Sequence, residues 1–286
     1  VTLDFPSYSP VLTYCENETL RQEMYEAYVT RASDQGPFAG KFDNGPVMLE
    51  ILALRKEQAE LLGFANYAEL SLATKMAQST QAVMDFLHDL ASRSRPGAIA
   101  EFREICEFAR STCGATRVEA WDVSFYAEKL KQERFNLSSE ALRPYFPADR
   151  VISGMFEVVR RLYDLEIRQT TEMATWHPAV TTYNIYRNQL LIARFYLDPY
   201  ARPNKQGGAW MDNCRVRRLR PDDEVQLPVA YLTCNFSAPV GDKPSLLTHN
   251  EVVTLFHEFG HGLHLNVDPC GLCRGVGNQR RCLGRG

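Results

Sequence analysis

Apolar residues recur at helical spacing through the first part of the chain and at strand-like spacing later. In residues 18–32, Leu20, Met24, Ala27 and Tyr28 can share one helix face. Pro46 opens a helical stretch over 47–62, and Gly63 follows as its C′ residue. Residues 80–95 carry Val83, Leu87 and Leu90 at i, i+4 and i+7, and the pattern predicts a stop before Pro96-Gly97. Residues 101–110, 120–135 and 155–163 read as helices on the same grounds. Such stripes are expected to be core-facing. Tyr145-Phe146-Pro147 reads as a loop.

The period changes near Ile167. Residues 180–186 and 190–197 are β-prone runs joined by Arg187-Asn188-Gln189, a hairpin candidate. Residues 207–211 and 229–236 read as further strands, with a polar turn from Pro221 and a loop over 239–244. Thr248-His249-Asn250-Glu251 has the form of a capping box, which predicts a helix from Asn250 to about Leu265. Val252, Val253, Leu255, Phe256, Phe259 and Leu263 make that helix apolar nearly all round, so it is expected to be buried.

Composition narrows the class. The chain has 286 residues, 45% hydrophobic and 23% charged, as in an ordinary globular protein with ample material for a core. Net charge is −3 and no basic cluster is dense enough for nucleic acid, so peptides or small molecules are the expected partners. No apolar run approaches a membrane span, and residues 1–5 lack the charged and apolar regions of a secretory signal. Cys15, Cys106, Cys113, Cys214 and Cys234 are scattered, which suits reduced thiols in a cytoplasmic protein. Val1 in place of Met predicts a trimmed or partial start. There is no internal repeat.

The chemistry concentrates in His257-Glu258-Phe259-Gly260-His261. Two His four residues apart on a helix lie on one face and can share one zinc ion, with the intervening Glu placed to take a proton from an activated water. The expected roles are His257 and His261 as metal ligands and Glu258 as general base. Burial of two imidazoles and a carboxylate would be costly without such a partner. A third ligand decides the class. A metzincin requires Gly at 264 and His at 267, but the chain has His264 and Val267, so that class is excluded. His264 reads as structural. A Glu from a downstream helix would complete a His₂Glu site, but no Glu follows Glu258.

Phe256-His-Glu-Phe-Gly-His-Gly-Leu-His264 resembles the thimet oligopeptidase and oligopeptidase A family of zinc peptidases. Three upstream stretches agree: Phe195-Tyr-Leu-Asp-Pro-Tyr-Ala-Arg202, Gly207-Gly-Ala-Trp-Met-Asp212 and Pro228-Val-Ala-Tyr-Leu-Thr-Cys-Asn-Phe236. Ala27-Tyr28-Val29-Thr30-Arg31-Ala32 and Leu62-Gly-Phe-Ala-Asn-Tyr67 look like its bacterial oligopeptidase A branch. The resemblance covers residues 1–264. It implies a mainly α fold with a small β-sheet, zincin-like, with a helical channel wall and a His-Glu-x-x-His active-site helix. Residues 1–165 would be the helical region, 166–264 the catalytic region with strands and zinc helix, and 265–286 a tail outside the family pattern. The implied activity is zinc-dependent hydrolysis of internal bonds in short peptides, by a cytoplasmic monomer with no nucleic-acid or membrane partner. Residues 229–235 would be an edge strand pairing with substrate backbone.

The resemblance also implies a longer parent, with both ends missing here. Codons permitted for residues 266–286, read one base later, spell a family-like continuation. This predicts a reading-frame shift near Leu265, with the Glu ligand falling just past the last residue in the shifted frame. Cys270-x-x-Cys273 and Cys282 would then be out-of-frame translation and not a thiolate zinc site. The chain is accordingly expected to have two of three ligands, weak zinc binding and impaired activity. The alternative is a non-catalytic peptide-binding fragment, or one that does not fold stably.

Overall fold

The computed structural model describes residues 1–267 apart from Leu137. The expectations for the tail, including Cys270, Cys273, Cys282 and the frame shift, fall outside the described residues. The chain forms two compact units, one over residues 1–136 and one over the described residues from 138 on. Helices dominate, and the strands form a small sheet in the second unit.

The first unit runs α1 (Phe5–Tyr14), α2 (Glu18–Val29), α3 (Gly45–Leu61), α4 (Tyr67–Leu72), α5 (Thr80–Cys113) and α6 (Val123–Phe135). Local chemistry sets several ends. The side chains of Asn17, Asn66 and Ser79 accept the N–H groups of Leu20, Glu69 and Ala82. Gly63 has φ +79°, as its C′ position requires.

The predicted stop before Pro96 is overturned. α5 continues through Pro96 for 34 residues, about 50 Å, merging the two helices expected over 80–95 and 101–110. A proline removes one ladder bond, at about 3 kcal/mol. Helix-forming sequence on both sides outweighs that local penalty.

The core of the first unit is built on a charge. Arg21 and Asp122 are each 2% exposed. Arg21 donates to one carboxylate oxygen at 2.5 and 3.2 Å and to the Cys15 carbonyl at 2.7 Å. The other oxygen of Asp122 accepts the Glu119 N–H, and the guanidinium lies 4.2 Å from the Phe125 ring centre. Stacked Tyr8 and Tyr28 and the Tyr25–Trp121 pair extend this nucleus.

Beyond it, the core-facing reading of the stripes fails on α3 and α5, although it holds for 155–163, where Met155 and Val159 are buried. Leu87 and Leu90 on α5 are 50% and 48% exposed, and Val47, Leu49, Leu52 and Leu54 on α3 also face outward. Periodicity states that a helix has an apolar face; it does not supply the element that covers it.

The second unit continues with α7 (Ser139–Leu142), a 3-10 turn (Arg143–Tyr145) that takes the first residue of the loop expected over 145–147, the link Phe146-Pro147, and α8 (Ala148–Tyr163). Then come β1 (Glu166–Thr170), β2 (Thr181–Arg187), β3 (Leu190–Tyr200), β4 (Trp210–Arg215), β5 (Arg218–Leu219), β6 (Val225–Gln226), β7 (Val229–Phe236) and α9 (His249–Val267). β5 and β6 pair with each other in a separate two-stranded sheet. β2 and β3 form the predicted hairpin. Its two loop residues, Asn188 and Gln189, have φ of 50° and 65°, the left-handed pair of a type I′ turn.

The main sheet has the order β1-β2-β3-β7-β4, with β7 parallel to β3 and antiparallel to β4. One face carries Ile185, Phe195, Leu197, Leu232 and Cys234. It packs with Met155, Phe156 and Val159 of α8 and Leu255, Phe259 and Leu263 of α9 into one core.

The buried ion pair yields a stability test. Asp122→Ala leaves Arg21 buried and unpaired and is expected to cost about 3–5 kcal/mol, measured by urea unfolding of the first unit. Arg21→Met, which removes the charge and keeps the bulk, is expected to cost less than Arg21→Ala.

Candidate functional site

Two devices set the start of α9. Thr248 and Glu251 form the complete capping box: the Thr248 N–H donates to the Glu251 carboxylate at 2.7 Å, and the Glu251 N–H donates to the Thr248 hydroxyl at 3.2 Å. The preceding segment is tied down by Leu247 N–H to the Phe146 carbonyl, Ala148 N–H to the Ser245 carbonyl and Arg143 onto the Leu246 carbonyl. Helix direction and entry point are thus both constrained.

Leu255 and Phe259, one turn apart, and Leu263 a turn further bury one face of α9. Phe259 meets Phe195 and Phe156 at ring separations of 5.5 and 6.0 Å. At 100° per residue, His257 and His261 fall on the opposite face. The expectation of a helix buried all round is therefore corrected: Val253 is 54% exposed, Phe256 is 38% exposed, and both histidines are solvent-facing. The sheet covers one side only, so the desolvation argument for a metal does not apply to these imidazoles.

The structure brings the two histidines together. Their Nε2 atoms are 3.1 Å apart and their rings are nearly perpendicular, at 87°. Glu258 is half-buried between the two faces. His264 is exposed. No third His, Cys, Asp or Glu joins the pair in a metal-holding group among the described residues.

Gly262 decides how closely α9 approaches the sheet. A Cβ there would lie 2.7 Å from the Leu232 side chain and 3.6 Å from that of Met211. Glycine costs a helix interior about 1 kcal/mol relative to Ala, so its presence here is explained by the close approach.

The sheet overturns another expectation. β7, which contains the predicted edge-strand residues 229–235, is internal, with β3 on one side and β4 on the other. Among the described residues, the edge next to α9 is β4, which pairs with β7 alone. Strand propensity marks a strand but carries no information about its neighbours.

A charged knot lies at the β3 end. Asp198, 2% exposed, receives two hydrogen bonds from Arg202 at 2.6 and 2.8 Å, one from Lys205 at 2.9 Å and one from the Trp176 indole at 3.2 Å. Burial alone would raise its carboxyl, but Arg202 and Lys205 more than reverse this and hold it below the usual range. Nearby, burial pushes the Cys234 thiol up to about 12, which favours the protonated form.

The whole-chain comparison is decisive for kinship. The description of Peptidase family M3 matches residues 11–267. The chain belongs to peptidase family M3.

This M3 chain is 56% identical over 265 residues to oligopeptidase A of Salmonella typhimurium, covering 92% of this chain and 39% of that protein. The corresponding values for oligopeptidase A of Haemophilus influenzae are 54% over 264 residues, 92% and 39%. Dipeptidyl carboxypeptidase of Salmonella typhimurium is 33% identical over 257 residues, covering 89% and 37%. The chain thus spans about two fifths of the length of these curated relatives. Among the described residues, no helix is long and apolar enough to cross a membrane.

Sequence reading singled out Asp198 and Arg202 only as part of an M3-like string and passed over Lys205, Asn235 and Gly262 as individuals. A glycine inside an otherwise strong apolar helix was the available signal for Gly262. Lys205, in a polar loop, gave none.

Two outcomes are expected. Gly262→Val should force Leu232 aside and lower stability by about 1–3 kcal/mol, read by thermal melting. Asp198→Asn should cost about 3–5 kcal/mol near neutral pH by stranding buried cations. Because the folded-state carboxyl is depressed, its contribution is complete above the unfolded value of about 3.9 and is lost as pH falls towards the folded value. The gap between the parent and Asp198→Asn should therefore narrow below about pH 4 in denaturant titrations.

Proposed function

We propose that this chain carries the metal-binding and catalytic helix of a zinc-dependent oligopeptidase acting on short peptides. The observation that carries the reading is the His257–His261 pair, with Nε2 atoms 3.1 Å apart on a capped helix. One ion about 2.0–2.1 Å from each nitrogen in tetrahedral geometry would need them about 3.3 Å apart. The donors fit with little motion. Membership in a peptidase family and the oligopeptidase A relatives support the same reading.

His257 and His261 would hold the ion. When bound, zinc supplies Lewis acidity that lets water act as a nucleophile near pH 7. Glu258 lies between the two ligands in sequence and is the base: it takes the proton of the attacking water and returns it to the leaving amine nitrogen. The edge of β4, unpaired among the described residues, offers backbone N–H and C=O groups to an extended peptide, which would add a strand beside α9.

Two ligands and a base do not complete a catalytic zinc site, which needs three protein ligands. Residues 1–286 are therefore expected to bind zinc weakly and to cleave peptides slowly or not at all. The test is hydrolysis of a quenched fluorescent peptide by purified 1–286, with and without chelator. Chelator-sensitive turnover close to that of full-length oligopeptidase A would refute the impairment. In any form with measurable turnover, Glu258→Gln should retain zinc and lose about 10²–10⁴-fold in rate.

A second reading, an incompletely packed chain, is favoured by the uncovered apolar faces of α3 and α5. A broad, non-cooperative melt by circular dichroism would support it, and a sharp cooperative one would exclude it.

A further inference from the structure

β3 and β4 are consecutive in the chain but not adjacent in the sheet, because β7 lies between them. The connecting residues 201–209 must therefore pass over the end of β7, where Cys234, Asn235 and Phe236 sit. That crossing is fastened from both sides. The Lys205 ammonium donates to the carbonyls of Asp198 at 3.0 Å, Tyr200 at 2.8 Å and Cys234 at 2.6 Å, besides the Asp198 carboxylate. Its three protons thus serve four acceptors, on β3 and on β7. From β7, the Asn235 side-chain amide donates to the carbonyls of Gln206 at 2.8 Å and Gly208 at 2.6 Å. The Ala201 N–H donates to the Phe236 carbonyl at 2.9 Å.

We propose that Lys205 and Asn235 are positioning residues whose clasp on the 201–209 crossing fixes the register of the β4 edge beside the candidate site. The clasp ends at Gly208, two residues before the pairing begins at Trp210 opposite Thr233. Next in line, Met211 pairs with Leu232, and both side chains lie against the space that Gly262 leaves on α9. A slip of one residue would turn Met211 to the other face and put Trp210 or Asp212 against the helix. The edge offered to a peptide would shift with it. The functional weight of the clasp rests on the reading of β4 as the peptide-pairing edge.

Asn235→Asp is the discriminating variant. Asn235 is half-exposed, its side-chain hydrogen bonds among the described residues all go to the crossing, and the change keeps the shape while removing both donors. In the full 286-residue chain, hydrogen exchange of Trp210–Arg215 amides is expected to quicken about tenfold or more, with exchange in β1 and β2 unchanged. Lys205→Met should do the same and also speed exchange at the β3 and β7 ends, with Lys205→Arg recovering part of the protection. Unchanged β4 exchange in Asn235→Asp overturns the proposal, as does uniform quickening across the sheet. A labelled seven-residue peptide, followed by fluorescence anisotropy, tests the edge reading separately. Binding to the parent chain that weakens about tenfold in Asn235→Asp supports both. If the parent binds no peptide while β4 exchange quickens in the variant, the clasp stands and the edge reading falls.

Discussion

One face of α9 is buried, and the candidate site follows from which face that is. Leu255, Phe259 and Leu263 lock the helix onto Phe195 and Leu232 of the sheet. Rotation about the helix axis would expose this stripe, at a cost of about 1.5–3 kcal/mol per large side chain. His257 and His261 are held on the far side by that packing, and among the described residues their hydrogen bond is to each other. The capping box adds an axial constraint. Together the two effects turn a spacing of four residues into a pair of imidazole nitrogens at ligand-sharing distance.

The sheet beneath α9 is organised by an inserted strand. β7 arrives last of the strands and takes an internal position, burying Ala230, Leu232 and Cys234 under the helix. The price is a crossing segment, 201–209, that has to bridge the strand end with its backbone groups satisfied. Lys205 and Asn235 meet that demand with hydrogen bonds to carbonyls, and Asp198 pairs with both the Lys and the Arg brought together there. An exposed edge on β4 is the consequence, bordering the helix that carries the histidines. Polar residues Asp212 and Asn213 and charged Arg215 are exposed along it, as suits an edge open to water.

The first unit follows a different logic. Its order centres on Arg21, Asp122 and Phe125, where a charge pair, a carbonyl and an aromatic face satisfy a buried guanidinium almost completely. Away from that nucleus the helices are well formed by their own ladders and caps, yet much of their apolar surface remains uncovered. The secondary structure is locally determined, and the burial that usually accompanies it is not.

Sequence alone determined what depends on neighbours a few residues away. The Thr248–Glu251 box, the turn at Asn188-Gln189, the Gly63 helix end and the four-residue spacing of His257 and His261 each involve backbone groups or side chains within one or two turns. The family-like strings around Asp198 and His257 were legible for the same reason, being contiguous. Tertiary structure decided the rest. It placed β7 inside the sheet and β4 at its edge, because strand order depends on which surfaces can be buried together. It exposed the histidine face of α9 and left α3 uncovered, because an apolar stripe is buried only where another element meets it.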